Sequence, residues 1–174
     1  EVHRSNTEKF RVTLVDTGLN TQTAGRLKRV QHYIGNEEFL LTYGDGLSDV
    51  NLVQLIDYHH AHGKIATVTA VQPAGRFGLL GLEEDAHVTS FQEKAQGDGG
   101  WINGGFFVLK PEVFRYLPEH SDQLMWEDDP LRTLADENQL VAYKHSGFWQ
   151  CMDAMRDKAV LEQMWTTGQA KWKL

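Results

Sequence analysis

Two aspartates in this sequence have the type and the setting of ligands for a divalent cation. Asp45 lies between Gly44 and Gly46, directly after the apolar run at residues 39–43. A carboxylate at the carboxyl end of a buried strand stands where open α/β sheets bind ligands, and flanking glycines let a phosphate or a metal come close. The alternative is that Asp45-Gly46 is only a turn signal.

Asp153 follows the aromatic segment at residues 148–151 and precedes an apolar-periodic stretch. It is therefore either the N-cap of the last helix or a second metal ligand. Two aspartates from distant segments that meet at one sheet edge would suit Mg²⁺, which takes one or two carboxylates and completes its shell with water and phosphate oxygens.

Two further polar pairs are suited to a phosphorylated sugar. Glu93 and Lys94 could supply a carboxylate for hydroxyl groups and an ammonium for a phosphate, or could be ordinary solvated charges. Asn103 and Gly104 could present an amide and bare backbone to a polar ligand, or could form a β-bulge.

An anion or nucleotide site is a third possibility near the amino-terminal end of the chain. Thr17 and Gly18, with Gly25 and Arg26, combine small residues, a predicted helix N-terminus and a cation. The alternative is a plain loop followed by a capped helix.

Three histidines and the single cysteine carry weaker signals. His59 and His62 are three residues apart on a predicted helix, but no third carboxylate or thiolate ligand accompanies them, so we expect His59, His60 and His62 on the helix surface. Cys151 is expected to be a small buried residue rather than a nucleophile.

The strands and helices that must position these residues follow from the hydrophobic pattern, which predicts an α/β fold. Residues 39–71 form a strand, helix and strand, which favours a right-handed parallel crossover. Beyond Pro73 the pattern predicts an antiparallel hairpin and a strand interrupted by two glycines. The predicted strands are 11–15, 39–43, 65–71, 78–82, 88–93, 101–109, 140–144 and 148–151. The predicted helices are 24–34, 111–117, 130–137 and 153–165, and one more that Asp49 or Asn51 caps and that Gly63 ends.

Composition excludes several classes of function. The 174 residues, 41% hydrophobic and 24% charged, predict one globular domain over residues 1–174. A net charge of −7 argues against nucleic acid and membrane surfaces as partners. One cysteine and the lack of an apolar run of about 20 residues make the cytoplasm the default location.

The ordered motifs together resemble the bacterial glucose-1-phosphate cytidylyltransferases, within the sugar nucleotidyltransferase family. The resemblance covers residues 11–174. The motifs that carry it lie at residues 12–18, 25–30, 42–46, 75–78, 90–94, 102–108 and 147–150, followed by Met152-Asp153.

The resemblance implies a Rossmann-like nucleotidyltransferase fold, with a mixed, mainly parallel central sheet flanked by helices and a small antiparallel element. Glucose 1-phosphate would attack the α-phosphorus of CTP with Mg²⁺ as cofactor, giving CDP-glucose for lipopolysaccharide O-antigen sugars, in a homo-oligomer. The implied roles are metal binding for Asp45 and Asp153, sugar-phosphate contact for Lys94, hexose binding for Gly78, Glu93 and Asn103, substrate binding for Gly104, and a place on the nucleotide side for Thr17, Gly18, Gly25 and Arg26.

Two departures from the family pattern keep an alternative open. The Gly-rich amino-terminal loop that grips the triphosphate is not in this sequence, so we expect either a preceding segment or a truncated product. Ala95 and Gln96 replace the usual Pro and Lys after Lys94. The alternative is a non-catalytic module that binds sugar phosphates. A metal-dependent glycosyltransferase ranks last, because no Asp-x-Asp stands at Asp45.

Overall fold

The computed structural model describes residues 11–73, 79–82, 87–92 and 100–173. Strands and helices alternate along these residues, as the hydrophobic pattern predicts. The strands are β1 (Phe39–Leu41), β2 (Gly46–Ser48), β3 (Ala66–Val71), β4 (Leu79–Leu82), β5 (Val88–Gln92), β6 (Ile102–Asn103), β7 (Phe107–Leu109), β8 (Leu140–His145) and β9 (Trp149–Cys151). The helices are α1 (Thr23–Ile34), α2 (Leu52–His62), a 3₁₀ helix (Pro111–Tyr116), α3 (Asp129–Asp136) and α4 (Met155–Thr166).

A mixed sheet forms the centre of the fold. β3 pairs in parallel with β8 along its whole length, and on its other side pairs antiparallel with β6 and β7. β1 then pairs antiparallel with β7. β1, β3 and β8 therefore run in one direction and β6 and β7 in the other, which confirms the α/β class and the parallel direction of the strands joined by α2. β7 lies between those two strands.

The two glycines inside the predicted strand 101–109 mark a real interruption. Gly105 has φ +75° and Phe106 has φ +45°, so the backbone leaves the strand conformation between β6 and β7. Gly104 is closely packed, since a Cβ there would lie 2.8 Å from Val71 Cγ1 and 3.0 Å from Thr69 O. Glycine at position 104 is thus explained by close packing against β3.

Two small antiparallel pairs flank the central sheet. β4 and β5 form the hairpin that the sequence predicts. β2 and β9 pair over only three residues each, with Gly46 opposite Cys151. Pairing of β2 with β9 was not predicted, because three residues before a helix give no periodic signal.

One predicted strand is absent from this structure, and the expected burial of another is wrong. Residues 11–18 belong to no strand, and the side chains of Val12 and Leu14 are 73% and 93% exposed. β-Branched residues favour extended backbone, but a strand also needs a pairing partner, and no described segment provides one. β1 was expected to be buried on both faces, yet it pairs only with β7 among the described residues and Leu40 is 47% exposed.

The core lies between the sheet, α1, the 3₁₀ helix and the segment before α3. Its largest buried members are aromatic and aliphatic side chains that the apolar pattern marks: Leu27, Phe107, Leu109, Phe114, Trp126 and Leu134. Gly25 of α1 is closely packed, because a Cβ there would lie 2.9 Å from Ser121 O and from Asp122 Cα. α1 is thereby held against the loop that leads to α3.

None of the helices in the described part of the chain has both the length and the apolar character needed to cross a bilayer.

Candidate functional site

A cleft of about 1630 Å³ opens at one end of the sheet. Its walls come from the segment between β1 and β2, the end of β3, the interruption between β6 and β7, the turn before β9 and the start of α4. The short β2–β9 pair brings two segments a hundred residues apart in sequence to the same wall.

Asp45 and Asp153 both line this cleft. Asp45 immediately precedes β2, and its backbone oxygen accepts a hydrogen bond of 2.9 Å from Met152 N, just beyond β9. Asp153 directly follows Met152 in the chain. The antiparallel register therefore places the two aspartates at the same end of one strand pair, and both are exposed to the cleft.

Asp153 is not the N-cap of the last helix. α4 begins at Met155, and the carboxylate of Asp157 accepts the hydrogen bond from Ala154 N at 3.0 Å. Asp153 Oδ2 instead accepts a hydrogen bond from Cys151 Sγ at 3.0 Å. The capping interpretation of Asp153 is thus wrong, and Cys151 is half-buried rather than fully buried.

The chemistry of this pair suits Mg²⁺ better than zinc. No group of three or more His, Cys, Asp or Glu side chains in the described residues is arranged to hold a metal. Mg²⁺ needs no such group, since one or two carboxylates with water and phosphate oxygens satisfy its octahedral shell. Structural zinc needs four ligands of mainly nitrogen and sulfur. The shared position of Asp45 and Asp153 on the cleft wall is compatible with magnesium binding, and their role as its ligands stays a prediction.

A hydrogen-bonded carboxylate forms another part of the cleft wall. Glu127 Oε1 accepts from Tyr43 OH at 2.6 Å, and Glu127 Oε2 accepts from Thr23 Oγ1 at 2.7 Å. Burial, together with the hydrogen bond to Glu127, raises the pKa of Tyr43 well above its ordinary value. The phenol therefore stays protonated and stays a donor throughout the physiological range.

Asn103 is hydrogen-bonded to the cleft wall through Tyr43. Its Nδ2 donates to Tyr43 OH at 3.3 Å, and its Oδ1 accepts from Gly105 N at 2.9 Å. Gly104 lines the cleft, and its backbone oxygen accepts from Trp149 Nε1 at 2.8 Å. The structure thus places Gly104 in the cleft wall and holds the amide of Asn103 by hydrogen bonds to Tyr43 and Gly105 beside it.

Asp49 closes the end of the cleft next to β9. Its Oδ1 accepts from Phe148 N at 2.7 Å and lies 2.8 Å from His145 Nε2. Asp49 does not cap α2, because Asn51 accepts the hydrogen bond from Gln54 N at 3.0 Å. Asp49 and His145 were not among the predicted site residues.

The residues predicted on the nucleotide side lie next to the cleft rather than in its wall. Arg26 Nη1 donates to Thr17 Oγ1 at 2.7 Å, and Gly18, with φ +84°, follows directly. Thr17, Gly18, Gly25 and Arg26 do not line the cleft, whereas Thr23, the first residue of α1, does. The structure therefore groups Thr17, Gly18 and Arg26 but leaves their nucleotide role a prediction.

Three other predicted residues, Gly78, Glu93 and Lys94, lie outside the described residues. Their roles stay predictions of the resemblance.

Sequence reasoning missed Glu127, Thr23 and Tyr43. Acidic residues before a helix are common because they favour its N-terminal dipole, so Glu127 ahead of α3 carried no special signal. Tyr43 is the last residue of the apolar run that precedes Asp45, which is the one hint that its hydroxyl reaches the same site.

The expected surface position of the α2 histidines is wrong for His59. His59 is fully buried, and its Nδ1 lies 2.7 Å from Thr67 Oγ1. His62 Nε2 also lies 2.7 Å from Thr67 Oγ1. Burial lowers the pKa of His59 to about 4 and lowers that of His62. We call His59, His62, Thr67 and Glu38 the α2 histidine cluster.

Comparison with known proteins places this chain in a family. The nucleotidyl transferase family model matches residues 2–162, and the chain belongs to that family. It is 52% identical over 174 residues to glucose-1-phosphate cytidylyltransferase of Salmonella typhi, covering 99% of this chain and 66% of that protein. The Salmonella typhimurium protein of the same name matches equally, at 52% identity with the same coverage. The chain spans about 66% of the length of these relatives.

A solved structure supports the fold assignment. The structure described as UDP-glucose pyrophosphorylase complexed with UDP-glucose matches with a TM-score of 0.62 at 17% identity, over 87% of this chain and 64% of that chain. This likeness confirms the nucleotidyltransferase fold that the motifs imply.

Proposed function

We propose that the protein is a Mg²⁺-dependent glucose-1-phosphate cytidylyltransferase, which makes CDP-glucose and pyrophosphate from CTP and glucose 1-phosphate. The observation that carries the proposal is the placement of Asp45 and Asp153 at one end of the β2–β9 pair, on one cleft wall. The 52% identity to proteins with this name supports the choice of substrates.

The reaction forms one P–O bond and breaks another. A phosphate oxygen of glucose 1-phosphate attacks the α-phosphorus of CTP, and pyrophosphate leaves with the electrons of the broken bond. Such a transfer needs alignment and charge neutralisation rather than a covalent nucleophile. Cys151 therefore needs no catalytic role, although its Sγ lies 3.0 Å from Asp153 Oδ2.

The chain's residues divide this work. Asp45 and Asp153 would hold Mg²⁺, which supplies positive charge to the phosphates when bound. Lys94 would contact the sugar phosphate, Glu93, Asn103 and Gly78 would bind the hexose, and Gly104 would contact the substrate. These roles come from the resemblance; the geometry of the described residues supports a shared cleft for the two aspartates and Gly104, with Asn103 hydrogen-bonded to its wall.

The cellular setting follows from the proposed activity. CDP-glucose would feed the synthesis of deoxysugars for lipopolysaccharide O-antigen, an activity that belongs in the cytoplasm, and we propose a homo-oligomer as the working form. The net charge of −7 fits a protein without nucleic acid or membrane partners.

The test is pyrophosphate release with Mg²⁺, glucose 1-phosphate and either CTP, UTP or dTTP, beside calorimetric titration of glucose 1-phosphate alone. Turnover with CTP in preference to the other two supports the proposal. Preference for UTP or dTTP overturns the cytidylyl specificity. Binding of glucose 1-phosphate without turnover, by folded protein, favours the non-catalytic module, and loss of both overturns the proposed function.

A further inference from the structure

Resting on the proposed function, we propose that Glu127 determines sugar specificity: its carboxylate accepts a hydrogen bond from a hexose hydroxyl of the sugar phosphate in the cleft.

Two hydrogen-bond chains end on this carboxylate. Trp126 N donates to Thr23 Oγ1 at 2.8 Å, so the Thr23 hydroxyl hydrogen is left to donate to Glu127 Oε2. Asn103 Nδ2 donates to Tyr43 OH at 3.3 Å, so the phenol hydrogen is left to donate to Glu127 Oε1. Both chains point their donors toward the carboxylate, and such chains strengthen one another.

The carboxylate is held in place with acceptor capacity to spare. A carboxylate offers about four lone-pair positions, and the Tyr43 and Thr23 hydroxyls use one on each oxygen. The position of Glu127 is fixed by groups from α1 and from the segment after β1, which leaves little side-chain freedom to lose when a ligand binds. The remaining lone pairs belong to a half-buried side chain that lines the cleft.

The chemistry of the site selects the ligand group. Among the described residues no Lys, Arg or His forms an ion pair with Glu127; the partners of its carboxylate are the two hydroxyl groups. A carboxylate accepts hydrogen bonds and repels phosphate, so a phosphate group of either substrate is excluded as its partner. A neutral hydroxyl donor is what remains on a sugar phosphate, and hydrogen bonds to charged groups are the stronger kind.

A second Tyr–Glu pair of the same length provides a matched control. Tyr116 OH donates to Glu137 Oε2 at 2.6 Å on the exposed surface, and neither residue lines the cleft. Glu137 receives no second hydroxyl chain in the described part of the chain. Comparing the two carboxylates separates a ligand contact from a bond that only joins two elements.

The test compares Glu127→Gln with Glu137→Gln in calorimetric titrations of glucose 1-phosphate and of its 2-, 3-, 4- and 6-deoxy analogues. Glutamine keeps the shape of Glu127 and can accept from Thr23 while donating to the Tyr43 oxygen. We expect Glu127→Gln to weaken glucose 1-phosphate binding about 10-fold, without changing the affinity for CTP. Glu137→Gln should leave both affinities unchanged.

The deoxy series identifies the contact itself. The wild-type protein should bind the deoxy analogue that lacks the contacted hydroxyl about 10-fold more weakly than glucose 1-phosphate. In Glu127→Gln, the affinities for this analogue and for glucose 1-phosphate should be nearly equal. The affinity ratios for the other analogues should match those of the wild type. A role in folding alone would leave the pattern of discrimination unchanged. Such non-additivity between a side chain and a ligand group is the signature of direct contact.

Four outcomes decide the proposal. Equal affinity of wild type and Glu127→Gln for glucose 1-phosphate overturns it, as does an equal loss for every analogue. If Glu127→Gln fails to fold, Glu127→Asp takes its place. If Glu127→Asp no longer distinguishes that one deoxy analogue from glucose 1-phosphate, the proposal is supported. If it distinguishes the two as well as the wild type does, the proposal is overturned. Failure of the wild type to bind glucose 1-phosphate overturns the proposed function instead, so the two failures are distinguishable.

Discussion

Two polar networks of this molecule have similar hydrogen-bond lengths and opposite surroundings. In the cleft, the Tyr43 and Thr23 hydroxyls donate at 2.6 and 2.7 Å to the carboxylate of Glu127, which faces open space. Under α2, the Thr67 hydroxyl lies 2.7 Å from both His59 and His62, and His59 has no exposed surface. The first network ends at the cleft and the second ends inside the protein.

The direction of the bonds explains the difference. Lys64 N donates to His62 Nδ1 at 3.0 Å, so His62 Nε2 carries the proton and donates to Thr67, whose hydroxyl then donates to His59 Nδ1. His59 Nε2 is left 3.4 Å from Glu38 Oε2. His59 Nε2 is buried and has no hydrogen-bond partner among the described residues, whereas the other ring nitrogens of the cluster and the Thr67 hydroxyl are paired with groups of the protein. None of these pairs faces the cleft, so we expect the cluster to act on the stability of the fold. In the cleft, acceptor capacity remains for a ligand.

The largest expected effect is on catalysis, from Asp45→Ala or Asp153→Ala. Each should lower pyrophosphate release by on the order of 1000-fold, because a charge that stabilises the transferring phosphate would be lost. The melting temperature should change little, since the hydrogen bond from Met152 N uses the backbone oxygen of Asp45 and the carboxylate of Asp153 accepts a hydrogen bond from a thiol, which is a weak donor.

Asp129→Ala is the matched control, because Asp129 is exposed and pairs with Arg132 outside the cleft. Its turnover should equal that of wild type. Unfolding of either cleft variant, with Asp129→Ala intact, would contradict the metal-binding role and favour a structural one.

The next effect is the pH dependence of stability set by His59. Burial holds its folded pKa at about 4, below the ordinary 6.5, so the unfolded chain binds the proton first as pH falls. Stability should therefore be complete above about pH 6.5 and decline toward pH 4, by up to about 3 kcal/mol. Urea unfolding between pH 4.5 and 7.5 measures this decline.

The groups that face His59 from the packed elements are Glu38, whose charge opposes the lowering of its pKa, and His60, His62 and Lys110, whose charges add to it. His59→Leu should be less stable at pH 7 and flatter across the same range. An identical pH slope in wild type and His59→Leu would show that the cluster does not set the pH dependence.

A hydroxyl deleted from the α2 histidine cluster should cost stability without affecting binding. Thr67→Val removes the bridge between the buried His59 Nδ1 and the partly buried His62 Nε2, and we expect a loss of about 2 kcal/mol in the free energy of unfolding. The affinity for glucose 1-phosphate should stay at the wild-type value. A weaker affinity would mean that the cluster and the cleft are coupled through β3.

A hydroxyl deleted from the cleft should show the opposite pattern and the smallest effect. Tyr43→Phe leaves Glu127 with Thr23 alone and frees Asn103 Nδ2. Binding of glucose 1-phosphate should weaken about 5-fold, or about 1 kcal/mol, measured by calorimetry.

Tyr116→Phe, from the exposed pair with Glu137, is the control and should bind as wild type does. Equal stability losses in both variants, without any change in binding, would remove the distinction between the cleft network and an ordinary Tyr–Glu bond.

Local signals predicted much of the fold. Asn51 and Gly63 mark the start and end of α2, since the Asn51 side chain caps the helix and Gly63 takes the left-handed conformation with φ +68°. Gly104 and Gly105 correctly marked the interruption between β6 and β7. These features depend on the conformational preferences of one or two residues and are therefore readable in sequence.

Features that depend on distant partners were missed or mistaken. Val12 and Leu14 have strand-forming composition and no strand partner in the described structure. His59 follows Leu55 by four residues, so its spacing places it on the apolar face of α2, but its polar side chain led to the expectation of a surface position. Residue type alone does not reveal that Thr67 on β3 provides a hydrogen-bond partner for His59 in the interior.

The sequence by itself determined the α/β class, the positions of the helices and the two aspartates that could hold Mg²⁺, because residue type and spacing act over short distances. Only the tertiary structure decided that Asp45 and Asp153 line one cleft, that Glu127 joins them there, and that the histidines of α2 stabilise the fold. These outcomes depend on the pairing of β2 with β9. They also depend on the hydrogen bonds that join Glu127 to Tyr43, 84 positions away, and to Thr23, 104 positions away, which no local pattern encodes.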